Sequence, residues 1–321
     1  MIRMIRTRSS RAVLTAVAVL LLPLGACSGQ GEDLSATGAT ETVRIAINPW
    51  AGYEASAAVV AYLMKSQLGL NVRTVKLTEL DSWKGFEQGT VDVIIEDWGH
   101  DAEKKKYIDQ KHVAVTAGTN GNIGVIGWYV PEWMAEKYPD ITDYRNLNKY
   151  ASLFRTTKSD GKGQLLDGDP SYVTNDEALV QNLNLNYKVV YSGSEDALIR
   201  AMKRATSQRK PLLMYFYEPQ WLFSQMKMVK INLPPYAIGC DADAKKVACD
   251  YPPYLLDKIV SARFARTGGA AYELVRNFNW TNDNQNAVAN DIVNNGLTPD
   301  QAAKKWVDAN KIIWKDWIPK S

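Results

Sequence analysis

Several aromatic side chains fall at a strand exit or a helix entrance, and that placement sets the chemistry open to this chain. Residues 91–95 are β-branched and apolar enough for a buried parallel strand, and they exit into Glu96, Asp97, Trp98, Gly99 and His100. Trp50 follows the run Val43–Ile47 in the same way, with Tyr53 and Glu54 at the next helix start. Tyr217 ends the run from Leu212, within Tyr215-Phe-Tyr217-Glu218-Pro219-Gln220-Trp221. Tyr172 lies in Gly168-Asp-Pro-Ser-Tyr172-Val-Thr-Asn-Asp-Glu177, where Thr174 and Glu177 have the spacing of a capping box and predict a helix directly after Tyr172. Trp128, in Gly127-Trp-Tyr-Val-Pro131, is a further candidate, with a core role equally open to it.

Ligands of open α/β sheets bind beyond the carboxyl ends of strands. Taken singly, each of these residues has an ordinary packing role. Together they suit a quaternary ammonium group, which has no proton to donate and is held by ring quadrupoles worth about 0.5–2 kcal/mol each. His100 and a helix N-terminus at the same crevice suit a carboxylate. A cationic head and an anionic tail describe a zwitterion such as a betaine.

The elements that must position these residues follow an α/β rhythm. Strands are expected at Val43–Ile47, 72–77 and 91–95, with helices at 53–67, stopped by Gly69, and at 82–88. This order predicts a parallel sheet covered on both faces. A charged helix at 102–110, strands at 113–115 and 123–130 and a helix at 132–138 come next. From 131 to 233 the pattern repeats, with helices at 175–185 and 195–206 and strands at Tyr187–Tyr191 and 211–217. Pro234-Pro235, the following cysteine loop and Pro252-Pro253 read as irregular. The last quarter reads as helical, with a capping box at Thr298-Pro299-Asp300-Gln301. The expected fold is α/β, with residues 131–233 as a candidate second lobe.

The chain has 321 residues, of which 46% are hydrophobic and 23% charged, so it is long enough for two domains. Its first 26 residues place Arg3, Arg6, Arg8 and Arg11 before a short apolar run, the pattern of an export signal. Leu24-Gly25-Ala26-Cys27 resembles a bacterial lipobox, which makes Cys27 the expected lipidated residue and residues 27–42 a polar tether. Without the four signal arginines the balance is 34 Lys+Arg against 35 Asp+Glu, a net of −1 that gives no footprint for nucleic acid. Cys240 and Cys249 close a small polar loop and, in an exported protein, are expected to pair as a disulfide. Zinc is the alternative, but no further Cys or His lies near them.

These motifs together resemble the glycine betaine/proline betaine-binding proteins of ABC transporters, a branch of the type II solute-binding fold, over nearly the whole chain from Val43. That resemblance implies two lobes, the first made of residues 43–130 plus 234–321 and the second of 131–233. Asp97-Trp98-Gly99-His100 is similar to that family's cage tryptophan followed by a carboxylate-binding histidine, at a shorter spacing here. Gly168-Asp-Pro-Ser-Tyr172-Val173-Thr174 resembles its Asn-Pro-Gly-Trp-Gly stretch. That match implies a cage wall at Tyr172 and carboxylate-binding amides at Val173 and Thr174. Tyr215-Phe-Tyr217-Glu-Pro-Gln-Trp221 resembles its Trp-x-Pro-x-Trp motif, with Tyr217 in the cage. Tyr stands at two places where the family has Trp. The choline-binding relatives imply a contribution from Trp50. Glu218 beside the cage is expected to point away, because strand alternation opposes it to Tyr217.

The resemblance implies a lipid-anchored receptor on the outer face of the cell membrane. It would deliver a quaternary ammonium solute, glycine betaine or a relative such as choline or carnitine, to a permease with an ATPase, and it would need no cofactor or metal. The contrasting reading is a secreted hydrolase using Glu96 and Asp97. Adjacent strand residues face opposite ways, and the sequence has no Gly-x-Ser-x-Gly, metal-ligand spacing or phosphate loop to support catalysis.

Overall fold

The computed structural model describes residues 42–320. The expected export signal, the expected lipidation at Cys27 and the expected tether fall on residues 1–42, of which 1–41 lie outside the described residues. Nine strands are described: β1 (Val43–Ile47), β2 (Val72–Lys76), β3 (Val93–Asp97), β4 (Ala114–Pro131), β5 (Gly163–Asp167), β6 (Tyr187–Tyr191), β7 (Met214–Glu218), β8 (Met228–Lys230) and β9 (Tyr254–Ser261). They run in the order β2-β1-β3-β9-β4-β7-β5-β6, with β8 added to β4. No helix among the described residues is long and apolar enough to cross a membrane.

The architecture is a two-lobe mixed α/β fold. In the first half β1 pairs in parallel with β2 and β3. In the second, β5 pairs in parallel with β6 and β7. The two halves meet through long antiparallel strands: the first part of β4 pairs with β9, and its second part pairs with β7 and β8. All five residues of β3 are buried, which is why that strand shows no polar alternation. The helix Ala51–Leu68 packs against Asn282–Val293 and Pro299–Ala309. Its small Ala55, Ala57, Ala58 and Ala61 are buried on several faces and let the neighbouring helices approach closely.

Most expected elements appear within a few residues of their predicted limits, and β1 and β6 match theirs. The two short strands expected at 113–115 and 123–130 are one strand of 18 residues, bent by register shifts between Thr116 and Thr119 and between Thr119 and Ile123. β5, β8 and β9 were absent from the sequence expectation. β9 sits inside the stretch read as irregular or helical, yet it lies between β3 and β4. The capping box at Thr298 forms, with Gln301 returning the bond and Pro299 in the first turn. The one expected at Thr174 does not. The helix there is Asp176–Asn182, its cap Asn175 makes no side-chain bond, and the Thr174 hydroxyl donates instead to Asp167 Oδ2 at 3.3 Å.

Cys240 and Cys249 form a disulfide with their Cα atoms 6.3 Å apart. A bridge closing a loop this short restricts the unfolded chain by about 2–3 kcal/mol. Thermal unfolding with and without reductant is expected to show a midpoint lower by roughly 5 °C once the bridge is cut. Equal midpoints would mean that this loop contributes nothing to stability.

Candidate functional site

A cavity of about 280 Å³ opens where the strands of both halves end. Trp50 reaches it from the end of β1, Trp98 and His100 from the end of β3, and Tyr215 and Tyr217 from β7. Tyr172 comes from the loop after β5, Tyr251 from the approach to β9 and Tyr254 from the first position of β9. The rings form a connected wall. Trp98 lies 5.7 Å from Tyr217 and 5.9 Å from Tyr254, Tyr172 lies 5.7 Å from Trp50, and Tyr215 and Tyr217 are 5.9 Å apart. Burial raises the phenols of Tyr172, Tyr215, Tyr217 and Tyr254, so the wall stays uncharged at neutral pH.

Buried carboxylates behind the wall hold the rings in place. Glu96 Oε1 accepts from Trp50 Nε1 at 2.9 Å and from Trp98 Nε1 at 3.0 Å, while Ser56 donates to Oε2 at 3.2 Å. Burial pushes the Glu96 carboxyl above its ordinary range, and the indole and hydroxyl donors pull against that rise. Glu195 does the same work from the second half. It accepts from Tyr217 Oη at 2.7 Å and Gln220 Nε2 at 3.0 Å, and its other oxygen accepts from Ala51 N at 2.9 Å. Trp50, the residue before that helix, makes no side-chain cap, so a carboxylate from across the cleft supplies one. The Tyr172 hydroxyl donates to Pro49 O at 3.0 Å. Two glycines make room for these rings: a Cβ on Gly124 would lie 2.5 Å from the Trp98 ring, and one on Gly168 would lie 2.7 Å from the Tyr172 ring.

One edge of the cavity is ionic. His100 Nδ1 lies 2.7 Å from Asp97 Oδ1, and Lys104 Nζ lies 3.1 Å from Asp97 Oδ2 and 2.8 Å from Asp257. On its other side His100 Nε2 is 3.1 Å from Glu79 Oε2, an ion-pair contact that is not aligned as a hydrogen bond. Glu79 Oε1 accepts from Val173 N at 3.2 Å. Burial would lower the imidazole, but the contacts with Asp97 and Glu79 outweigh it and raise His100 to about 10. Burial would raise Asp97, but His100 and Lys104 bring it below its ordinary range. The edge is therefore occupied by an imidazolium between two carboxylates.

Of the residues expected from sequence, Trp50, Trp98, His100, Tyr172, Val173 and Tyr217 line this cavity. Trp128 does not. It is fully buried, and its Nε1 donates to Asp176 Oδ1 at 2.8 Å, so its indole belongs to the core beneath the site. Thr174 is also off the lining, because its hydroxyl turns toward Asp167. Glu218 is not a lining residue. Glu96 and Asp97 serve different neighbours, the indoles and the imidazole, so they do not flank a common bond. Sequence reasoning missed Glu79, Tyr251, Tyr254 and Asp241, which all line the cavity. A Tyr at each edge of Pro252-Pro253 was the available signal for two of them. Glu79 gave no signal beyond that of an acid in a first helical turn.

A cleft between two α/β lobes, walled by aromatic rings from both, defines a solute-binding protein. Residues 41–309 match the family described as the substrate-binding domain of the ABC-type glycine betaine transport system, and the chain belongs to that family of solute-binding proteins, which are not enzymes. A trimethylamine N-oxide-binding protein from Pelagibacter ubique is 28% identical over 194 residues, covering 57% of this chain. The match spans only 61% of that relative's length. Lactococcal OpuAC, solved closed with glycine betaine, superposes with a TM-score of 0.65 at 23% identity, covering 87% of this chain and all of its own. A choline-binding protein of an ABC transporter, solved with choline, gives 0.70 at 17% identity over 86% of this chain and 91% of its own. These solved structures share the fold with this chain.

The raised pKa of His100 has a consequence for stability. The folded state favours the imidazolium, so its contribution is complete below the ordinary value of 6.5 and is lost as pH rises through about 10. Thermal midpoints are expected to fall across that window, and to fall less steeply in His100→Gln. Parallel slopes for the two proteins would show that His100 is not charged in the fold.

Proposed function

We propose that this protein is the ligand receptor of an ABC importer and that it carries a solute with a trimethylated nitrogen. The observation supporting this most strongly is the set of ring faces contributed by Trp50, Trp98, Tyr172, Tyr217 and Tyr254 to one cavity. A methylated ammonium offers neither donor nor acceptor at nitrogen, so polar side chains cannot select it. Electron-rich faces can, at about 0.5–2 kcal/mol each. Glycine betaine, choline and trimethylamine N-oxide, the solutes named for the similar proteins, share that nitrogen and differ only in what is attached to it. The wall reads the shared part.

Glycine betaine is the solute that the family description favours. A cation without a carboxylate, such as choline, is the second reading. It is supported by the acidic side chains Glu79, Asp101, Glu103 and Asp241 around a cavity that has no Lys or Arg among its lining residues.

In this reading the lobes divide as residues 43–130 plus 234–321 and residues 131–233. They close on the solute, and the closed form docks on a permease served by an ATPase. The lipid on Cys27 would keep the receptor on the extracytoplasmic face of the cell membrane.

Trp98→Ala removes one wall and the indole bond to Glu96, and is expected to weaken solute binding at least tenfold with an unchanged circular dichroism spectrum. Isothermal titration with choline, glycine betaine and trimethylamine N-oxide checks this, and undiminished affinity would count against the cage. For the anchor, Cys27→Ser is expected to shift the protein from the membrane fraction to the soluble fraction of expressing cells. Continued membrane retention would rule out a lipid on that sulfur.

A further inference from the structure

The edge of the cavity that a betaine would need is already filled. A carboxylate ligand there would draw on His100 and on the Val173 amide. Both are engaged by Glu79: Oε1 accepts from Val173 N at 3.2 Å, and Oε2 lies 3.1 Å from His100 Nε2. Glu79 begins the helix Glu79–Gln88, which Thr78 caps, and its side chain is buried although it lines the cavity. The protein therefore carries its own carboxylate where a zwitterionic ligand would place one.

The charge around this edge points the same way. His100 and Lys104 face Asp97, Asp257 and Glu79, two cations against three carboxylates. The surplus is one negative charge beside the ring wall, and no lining Lys or Arg cancels it. A ligand bringing a second carboxylate would leave two anions competing for one amide and one imidazolium. A ligand that is only a cation leaves the pairs intact and supplies the missing charge.

We propose that Glu79 sets the charge of the accepted solute: it fills the anion seat, so the site takes trimethylated ammonium cations lacking a carboxylate in preference to glycine betaine. This rests on the methylated-nitrogen reading above and narrows it. Calorimetric titration of the full chain with choline, tetramethylammonium and glycine betaine tests it. The wild-type protein is expected to bind choline at least tenfold tighter than glycine betaine. In Glu79→Gln, which keeps the shape and removes the charge, that ratio is expected to shrink at least tenfold, mostly through weaker binding of choline and tetramethylammonium. A wild-type preference for glycine betaine overturns the proposal without any variant, and so does an unchanged ratio in a folded Glu79→Gln. In both of those outcomes the methylated-nitrogen reading survives. If none of the three solutes binds the wild-type protein, that reading falls as well.

Discussion

Two indoles sharing one buried carboxylate is the constraint on which the site depends. Glu96 leaves β3 on the side opposite Asp97 and receives the Nε1 protons of Trp50 and Trp98 on a single oxygen. Those rings come from the exits of β1 and β3, which are neighbours in the sheet, so pairing of the strands sets the distance that the carboxylate then fixes. An indole held by its N–H cannot rotate its face out of the cavity. A buried carboxylate with only apolar neighbours would be costly, but here its oxygens have donors. The indole nitrogens of Trp50 and Trp98 and the hydroxyls of Tyr172 and Tyr217 are thus bonded to protein groups, leaving their ring faces toward the cavity.

The parts of the fold that were legible in the sequence are those whose burial is uniform or whose punctuation is local. β1 and β3 are almost wholly buried and carry β-branched or apolar residues at most positions, and Gly69 stops the first helix in a left-handed conformation. β9 was illegible because Asp257 and Lys258 interrupt it. Both are satisfied by distant groups: Asp257 pairs with Lys104, and the buried Lys258 donates to the carbonyls of Arg276 and Phe278. Burial lowers that lysine to about 7, with Asp257 pulling the other way. No window of neighbouring residues reports such partners. β5 has only two leucines in five residues, and its burial comes from β6 and β7 on either side.

The same division holds at the site. Aromatic residues at strand exits are visible as a pattern, since a strand end and a ring are both local facts. Trp128 shows the limit of that pattern. It has the same composition signal as Trp98, yet it lies in the half of β4 that pairs with β7, and its indole is committed to Asp176. Thr174 failed for a related reason: its hydroxyl found the carboxylate of Asp167 on β5, a strand the sequence had not disclosed, before it could cap a helix. Glu79 is the most consequential residue that the sequence concealed. An acid in a first helical turn is ordinary, and only the approach of the Tyr172–Val173 loop from the other half brings it to the edge of the cavity.

Contacts across the cleft also limit what the solute has to do. Ala51 N to Glu195, Tyr172 Oη to Pro49 O and Val173 N to Glu79 join the halves with protein groups alone. These bonds lower the free energy of the closed arrangement with or without a solute, so they set the resting balance and not the response to ligand. The response must come from interactions that exist only when the halves meet around a solute. The rings satisfy that condition, because Trp50 and Trp98 follow β1 and β3 while Tyr172 follows β5 and Tyr217 lies in β7. In the proposed receptor, a methylated nitrogen seated among them would touch both halves at once, and a compound that reached only one pair would gain affinity without favouring closure.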